Sequence, residues 1–169
     1  MRLNVNKILH TPDAKAPFHF EMDLSDLPFG SGYPVKDPVV VDGEVCNQAG
    51  VLVLSLQAHT TLHCVCDRCA KEFARPQSVS YQCYLAEERE SEESEDIVLL
   101  ENSEVDLDGL ARTAFILGMD TKMLCSEDCK GLCFRCGANL NDGPCACKKE
   151  IDPRLAGLAK LLEKDSDQP

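Results

Sequence analysis

The sequence predicts an α+β protein: an antiparallel β-sheet, one covering helix, and a cysteine-rich C-terminal segment ending in a short helix. Three observations carry this. Between residues 38 and 85, apolar and polar residues alternate over long runs, the period-two mark of half-buried strands. Residues 107–118 instead place their apolar side chains at helical spacing. Six of the eleven cysteines fall between Cys125 and Cys147, in close pairs.

Residues 3–8 and 18–24 each read as a strand, with Phe18, Phe20, Met22 and Leu24 on one side. Pro28, Gly30, Gly32 and Pro34 mark a loop. Val39, Val41 and Val45 then alternate with more polar positions, and residues 47–50 read as a turn. Residues 51–64 give a long strand. Leu52, Leu54, Leu56, Ala58, Thr60, Leu62 and Cys64 make its buried face, and Gln57, His59, Thr61 and His63 the other. A further strand over 77–85 places Val79, Tyr81, Cys83 and Leu85 on one face. Short turns between neighbours argue for an antiparallel meander.

Residues 87–96 carry seven acidic side chains in ten, the composition of a solvated loop. Residues 97–100 return to the sheet as an edge strand. Asp106 or Asp108 caps a helix whose stripe is Leu107, Leu110, Ala111, Ala114, Phe115 and Leu117, with Gly118 as its stop. Near the C-terminus, Asp152 is an N-cap with Pro153 in the first helical position, and Leu155, Leu158, Ala159 and Leu162 form a stripe. The expected organisation is a sheet-plus-helix body over 1–118, with its acidic loop at 87–96. A cysteine-rich segment with its terminal helix occupies 119–164, and a tail 165–169.

A chain of 169 residues suits one domain or one with a small appendage. With no tryptophan and 5% aromatic residues, the core must rest on Val, Leu and Ala. No apolar run follows Met1-Arg2-Leu3-Asn4, and none approaches the ~18 residues of a membrane span. The expectation is therefore a cytoplasmic protein without a membrane partner, where disulfides do not persist. The net charge of −12 is uneven. Residues 1–121 carry nine basic and twenty-one acidic groups, whereas 122–164 carry eight and six. Any nucleic-acid contact falls on the C-terminal segment.

Eight cysteines form four pairs: Cys66 and Cys69 (C-x2-C), Cys125 and Cys129 (C-x3-C), Cys133 and Cys136 (C-x2-C, then Gly137), Cys145 and Cys147 (C-x-C). Zinc takes four tetrahedral ligands, commonly thiolates, and a tight turn presents two sulfurs to one ion. The spacing favours a local site of Cys133, Cys136, Cys145 and Cys147. Cys66, Cys69, Cys125 and Cys129 then form a second, pinning the hairpin loop to the C-terminal segment. The rival arrangement is one site of Cys129, Cys133, Cys136 and either Cys145 or Cys147. One or two structural zinc ions are expected, so that the C-terminal segment is zinc-stapled. Cys64 and Cys83 read as core thiols, and Cys46 has no evident role.

Catalysis has little support. Cys129-x3-Cys133-x2-Cys136 has the spacing of an iron–sulfur motif in radical enzymes, but only 33 residues follow it, too few for their barrel. No βαβ unit surrounds either C-x2-C pair, as a thioredoxin-like motif requires. His59 and His63 read as a solvent-facing pair. No HExxH or Gly-rich phosphate loop appears, and four-cysteine sites leave no open metal position. The expectation is a non-enzymatic protein with no catalytic residues and no small-molecule substrate. Lys130, Arg135, Lys148, Lys149 and Arg154 are candidate contacts for RNA or a protein partner.

Several motifs together resemble the YceD family. They are Cys66-Asp67-Arg68-Cys69, the helix over 107–118, Cys125 to Cys136 with Gly131-Leu132, Cys136-Gly137-Ala138-Asn139-Leu140-Asn141, and Asp152-Pro153-Arg154-Leu155-Ala156. The resemblance covers residues 35–164. Family members are described as large ribosomal RNA subunit accumulation proteins in bacteria and plant plastids. It implies a cytoplasmic factor in large-subunit ribosomal RNA processing or accumulation and ribosome assembly, with precursor RNA or an assembly protein as partner. It implies no catalytic mechanism. Relatives lacking part of the cysteine set imply that metal supports the fold. Phe134 stands where many relatives have proline. The alternative functions are a protein adaptor unrelated to ribosomes, a metal-dependent nuclease and a thiol redox protein.

Overall fold

The computed structural model describes residues 1–30, 32–87 and 97–147. Its elements are β1 (Arg2–Asn4), α1 (Asn6–Leu9), β2 (Lys15–Met22), β3 (Val39–Gln48), β4 (Val51–Val65), β5 (Glu72–Ala86), β6 (Ile97–Leu99), β7 (Glu104–Asp106) and α2 (Leu107–Leu117). Strands β2-β3-β4-β5-β6 make one sheet in that order, and β1 pairs with β7. The sheet is mostly antiparallel. Strands β4 and β5 are 15 residues each and pair without a bulge from Leu52↔Leu85 to Val65↔Glu72.

Alternation in β4 sends Leu52, Leu54, Leu56, Ala58, Leu62 and Cys64 into the core, as the period-two pattern requires. Val39, Val41 and Val45 join them from β3, and Phe18 and Met22 from β2. Leu107, Ala111 and Phe115 bring α2 into the same cluster. Cys64 and Cys83 are core thiols. Cys46 is also buried, and its sulfur accepts a hydrogen bond from Gln48 Nε2 at 3.3 Å.

Four local expectations change. Residues 3–8 do not form one strand. Asn4 Oδ1 accepts the Asn6 N–H at 3.1 Å, a side-chain turn that ends β1. Val5 and Ile8, three apart, then enter the core from α1 and its cap. Strand β5 begins at Glu72 rather than 77, because pairing with β4 carries Arg75 and Gln77 through positions that break the apolar alternation. Strand β6 is an edge strand, but it pairs parallel to β5, Tyr84↔Ile97 to Ala86↔Leu99. A parallel pairing cannot be closed by the two-residue turn of an antiparallel hairpin, and ten residues, 87–96, separate the two strands in sequence. Helix α2 stops at Gly118 as expected, in a right-handed conformation, φ −83°, and what changes is its last stripe position, Leu117. Glycine is required there for space: a Cβ would lie 2.6 Å from Val79 Cγ2. Leu117 falls off the buried stripe and is exposed.

The residues beyond Cys147, including the expected helix from Asp152, and the acidic run after Glu87 lie outside the described residues. Among the described residues, no helix is long and apolar enough to cross a membrane.

The hairpin end of β3 is locked by Asn47, a buried polar residue. Its Nδ2 donates to Ile8 O and Leu9 O at 2.9 and 3.0 Å, and its Oδ1 accepts from Gly50 N at 2.8 Å. Replacing Asn47 by alanine removes three hydrogen bonds at once, leaving Gly50 N without its acceptor and Leu9 O without its donor, while Ile8 O keeps the Thr11 N–H. Chemical denaturation of Asn47→Ala is expected to show a loss of about 2–3 kcal/mol.

Candidate metal centre

Strand β4 runs out of its core pairing at Val65, and the chain turns back through Cys66-Asp67-Arg68-Cys69 before starting β5. The turn is a knuckle. Cys66 N donates to Lys71 O, and Ala70 N donates to Cys66 O, each at 2.9 Å. Ala70 closes it with φ +57°, a left-handed conformation that costs an alanine about 1 kcal/mol. A second knuckle has the same closure: Gly137 N donates to Cys133 O at 2.8 Å, with Gly137 at φ +69°. Glycine takes that conformation without penalty.

The two knuckles anchor two clusters. Cys66, Cys69, Cys125 and Cys129 form the first, and Cys133, Cys136, Cys145 and Cys147 the second. In each, all four sulfurs lie within 4.8 Å of one another, a group able to hold a metal ion. In the first cluster, Cys66 Sγ and Cys129 Sγ are 3.8 Å apart, and Cys69 Sγ and Cys125 Sγ 3.6 Å. A tetrahedron with metal–sulfur bonds of about 2.3 Å has edges of about 3.8 Å. Disulfides require about 2.05 Å, and all eleven cysteines are free. The donor set and its spacing therefore fit a four-thiolate metal site. The grouping matches the two-site pairing and not the single site built around Cys129, Cys133 and Cys136.

Side chains between the first two cysteines tie the knuckle down. Asp67 Oδ2 accepts Met123 N at 2.7 Å, and Asp67 N donates to Met123 O at 2.8 Å. Arg68 donates to the carbonyls of Glu127 and Cys129, both at 3.0 Å. Its own carbonyl accepts Leu132 N at 3.0 Å, so the second knuckle leans on the first. Asn141 completes the junction. Its Nδ2 donates to Cys129 Sγ at 3.4 Å, and its Oδ1 accepts Lys130 N at 2.8 Å. These supporting residues lay within the motifs read from sequence, but spacing alone assigned them no role.

Within each cluster the thiols split in acidity. Burial pushes the Cys66 thiol up, but backbone hydrogen bonds from Cys125, Cys69 and Arg68 outweigh it and hold it at about 6. Cys125 is pushed up to about 12 by burial and by the sulfurs of Cys69, Cys66 and Cys129. The second cluster repeats the split. Backbone hydrogen bonds from Cys136 and Arg135 lower Cys133 to about 6, while Cys147 rises to about 12 through Cys136, burial and Cys133. One thiolate in each cluster raises the cost of the next, and a divalent cation removes that cost.

Lys130 and Arg135 are exposed on the second knuckle and its approach. The Arg135 guanidinium stands 5.9 Å from the ring centre of Phe134, which is 85% exposed. Lys148, Lys149 and Arg154 lie outside the described residues. His63 Nε2 lies 2.9 Å from Asp37 Oδ2 and belongs to neither cluster.

The fold and site define a small, mostly antiparallel sheet protein with two four-cysteine clusters at one end. The family model described as "Large ribosomal RNA subunit accumulation protein YceD" matches residues 54–162, and the chain belongs to this family. It is 26% identical over 163 residues to the chloroplastic "Large ribosomal RNA subunit accumulation protein YCED homolog 1" of Arabidopsis thaliana, covering 78% of this chain and 51% of that one. It is 32% identical over 78 residues to uncharacterised proteins of Mycobacterium tuberculosis and Mycobacterium bovis, covering 46% of this chain and 38% of theirs. The chain thus spans about half the length of the plant relative and less of the mycobacterial ones. No solved structure matches.

Elemental analysis of purified protein is expected to give two metal ions per chain. Cys66→Ser and Cys145→Ser are each expected to give one. A single ion unaffected by Cys66→Ser contradicts the two-cluster geometry.

Metal affinity is expected to rise with pH. Cys125 and Cys147, at about 12, hold their protons at neutrality and lose them only on binding, while Cys66 and Cys133, at about 6, regain theirs on acidification. Competition with a chromophoric chelator between about pH 5 and 8 should show protons released on loading and a steep loss of affinity below about pH 6.

Proposed function

We propose that the chain is a non-enzymatic, zinc-stabilised adaptor in the accumulation or processing of large-subunit ribosomal RNA and in ribosome assembly. The observation that carries this is the pair of four-cysteine clusters in a member of the YceD family. Four thiolates saturate a tetrahedral zinc ion and leave no position for water or substrate, so such a site supports structure rather than chemistry. Zinc is the ion that best suits an all-thiolate tetrahedral set.

In this reading the sheet and helix over 1–118 are the body, and the segment over 119–164 is presented to the partner. Lys130 and Arg135 are its exposed cations near the clusters, and Lys148, Lys149 and Arg154 add to them in sequence. The partner is a precursor of the large-subunit RNA or an assembly protein in the cytoplasm. The name of the plant relative supports the ribosomal RNA assignment.

Depletion of the chain is expected to raise unprocessed large-subunit RNA, and the protein should co-sediment with large-subunit precursors in a gradient. Normal ribosome profiles after depletion would sink the reading. RNA cleavage by the pure protein, abolished by a metal-site change that leaves the fold intact, would move it to a nuclease.

A further inference from the structure

A groove of about 390 Å³ opens beside the first cluster, lined by Phe29, Tyr33, Lys36, His63, Val65 and Met123 among others. From sequence this stretch was only a loop rich in glycine and proline. We propose that the groove takes one unstacked nucleotide of a single-stranded RNA, its base against the Tyr33 ring and its phosphate at Lys36. The proposal rests on the reading of the chain as a ribosomal RNA factor and adds a contact on the body to that of the basic C-terminal segment, where charge alone had placed any nucleic-acid contact.

The Tyr33 side is built in advance. The chain after it runs alongside the far end of β4, where β3 no longer reaches. His63 N donates to Pro34 O at 2.8 Å, and Val35 bridges to Leu62. Thr60 Oγ1 reaches Asp37 O and Pro38 O at 3.3 and 3.1 Å, and His63 Nε2 meets Asp37 Oδ2. Pro34 and Val35 are buried, yet Tyr33 stays 59% exposed at the rim. A fixed backbone that leaves a large ring in water is a stacking platform in waiting.

The remaining chemistry suits a base with a single phosphate. Phe29, Val65 and Met123 give an apolar lining for a flat ring. Asp67, also in the lining, has one carboxylate oxygen engaged by Met123 N, and Asp37 is engaged by His63. Lys36 is in no ion pair among the described residues, so its charge is available to a phosphate. A net charge of −12 rules out a long phosphate footprint on the body. It leaves room for a contact driven by stacking and assisted by one cation. A duplex, with its bases stacked inside, offers nothing to Tyr33.

The test is equilibrium binding of the full chain, metal content verified, to a fluorescent single-stranded RNA oligonucleotide and to the same RNA annealed to its complement. Wild type should prefer the single strand. Tyr33→Ala should weaken binding roughly tenfold or more, while Tyr33→Phe keeps the ring and stays within about twofold. Lys36→Ala should weaken binding and lower the slope of log K against log salt by about 0.7. Tyr33→Ala with full metal content and wild-type affinity overturns the groove assignment, and the ribosomal RNA reading then stands on another surface. If wild type binds neither RNA yet depletion still impairs the large subunit, the groove assignment falls and the partner is a protein. If depletion has no effect, the underlying reading falls as well.

Discussion

The knuckle from Cys66 to Cys69 is the constraint on which the C-terminal half depends. It sits at the end of the longest hairpin in the sheet, so its position is set by the ladder of β4 and β5. Its two sulfurs face Cys125 and Cys129, and the two residues between them reach in different directions. Asp67 fastens Met123, at the wall of the groove, and Arg68 fastens Glu127, Cys129 and, through its carbonyl, the second knuckle. After α2, the described chain places only Met119 and Met123 in the main core. Two thioether side chains give too little apolar burial to hold a segment of this length against its conformational entropy. The backbone bonds around the two knuckles, and a metal ion where the clusters hold one, supply the rest.

That division explains why the clusters differ in environment. Three of the four sulfurs in the first cluster belong to buried residues, and Asn141 donates to one of them. The second cluster is more open, with Cys136 exposed. The first is an internal tie between two parts of the fold, and the second a rigid projection from it. Outer hydrogen bonds of the Asn141 kind tune metal affinity by factors of about 10–100. The first cluster therefore has the stronger supporting frame.

Much of this was legible in the sequence because its signals are local. Alternation in β4 fixed both the strand and its buried face, since each side chain answers only to pleat and burial. The cysteine pairs announced their clusters because a knuckle needs its ligands two or three residues apart. Gly137 marked one knuckle, but Ala70 hid the other: the same left-handed turn is taken there by a residue with no glycine signature. The short helix α1 was hidden because Val5 and Ile8 look like strand residues until Asn4 turns the chain. The parallel pairing of β6 is a long-range choice that no local pattern records. The groove was invisible for the same reason, since Phe29, Tyr33 and Lys36 meet Val65 and Met123 only in the folded chain.

The two clusters also differ in how much chain each must wait for. The cysteines of the second span fourteen positions, so it can close on a short emerging segment. The first joins residues up to 63 positions apart, across the whole of β5, β6, β7 and α2. Closing that longer loop costs about 1.3 kcal/mol more in chain entropy on a simple ring-closure estimate, unless the sheet has already brought the ends together. Bringing the four sulfurs of the first cluster together thus depends on the hairpin and helix that lie between them. A chain truncated or misfolded before Cys125 is left with two unpartnered thiols at the tip of its longest hairpin.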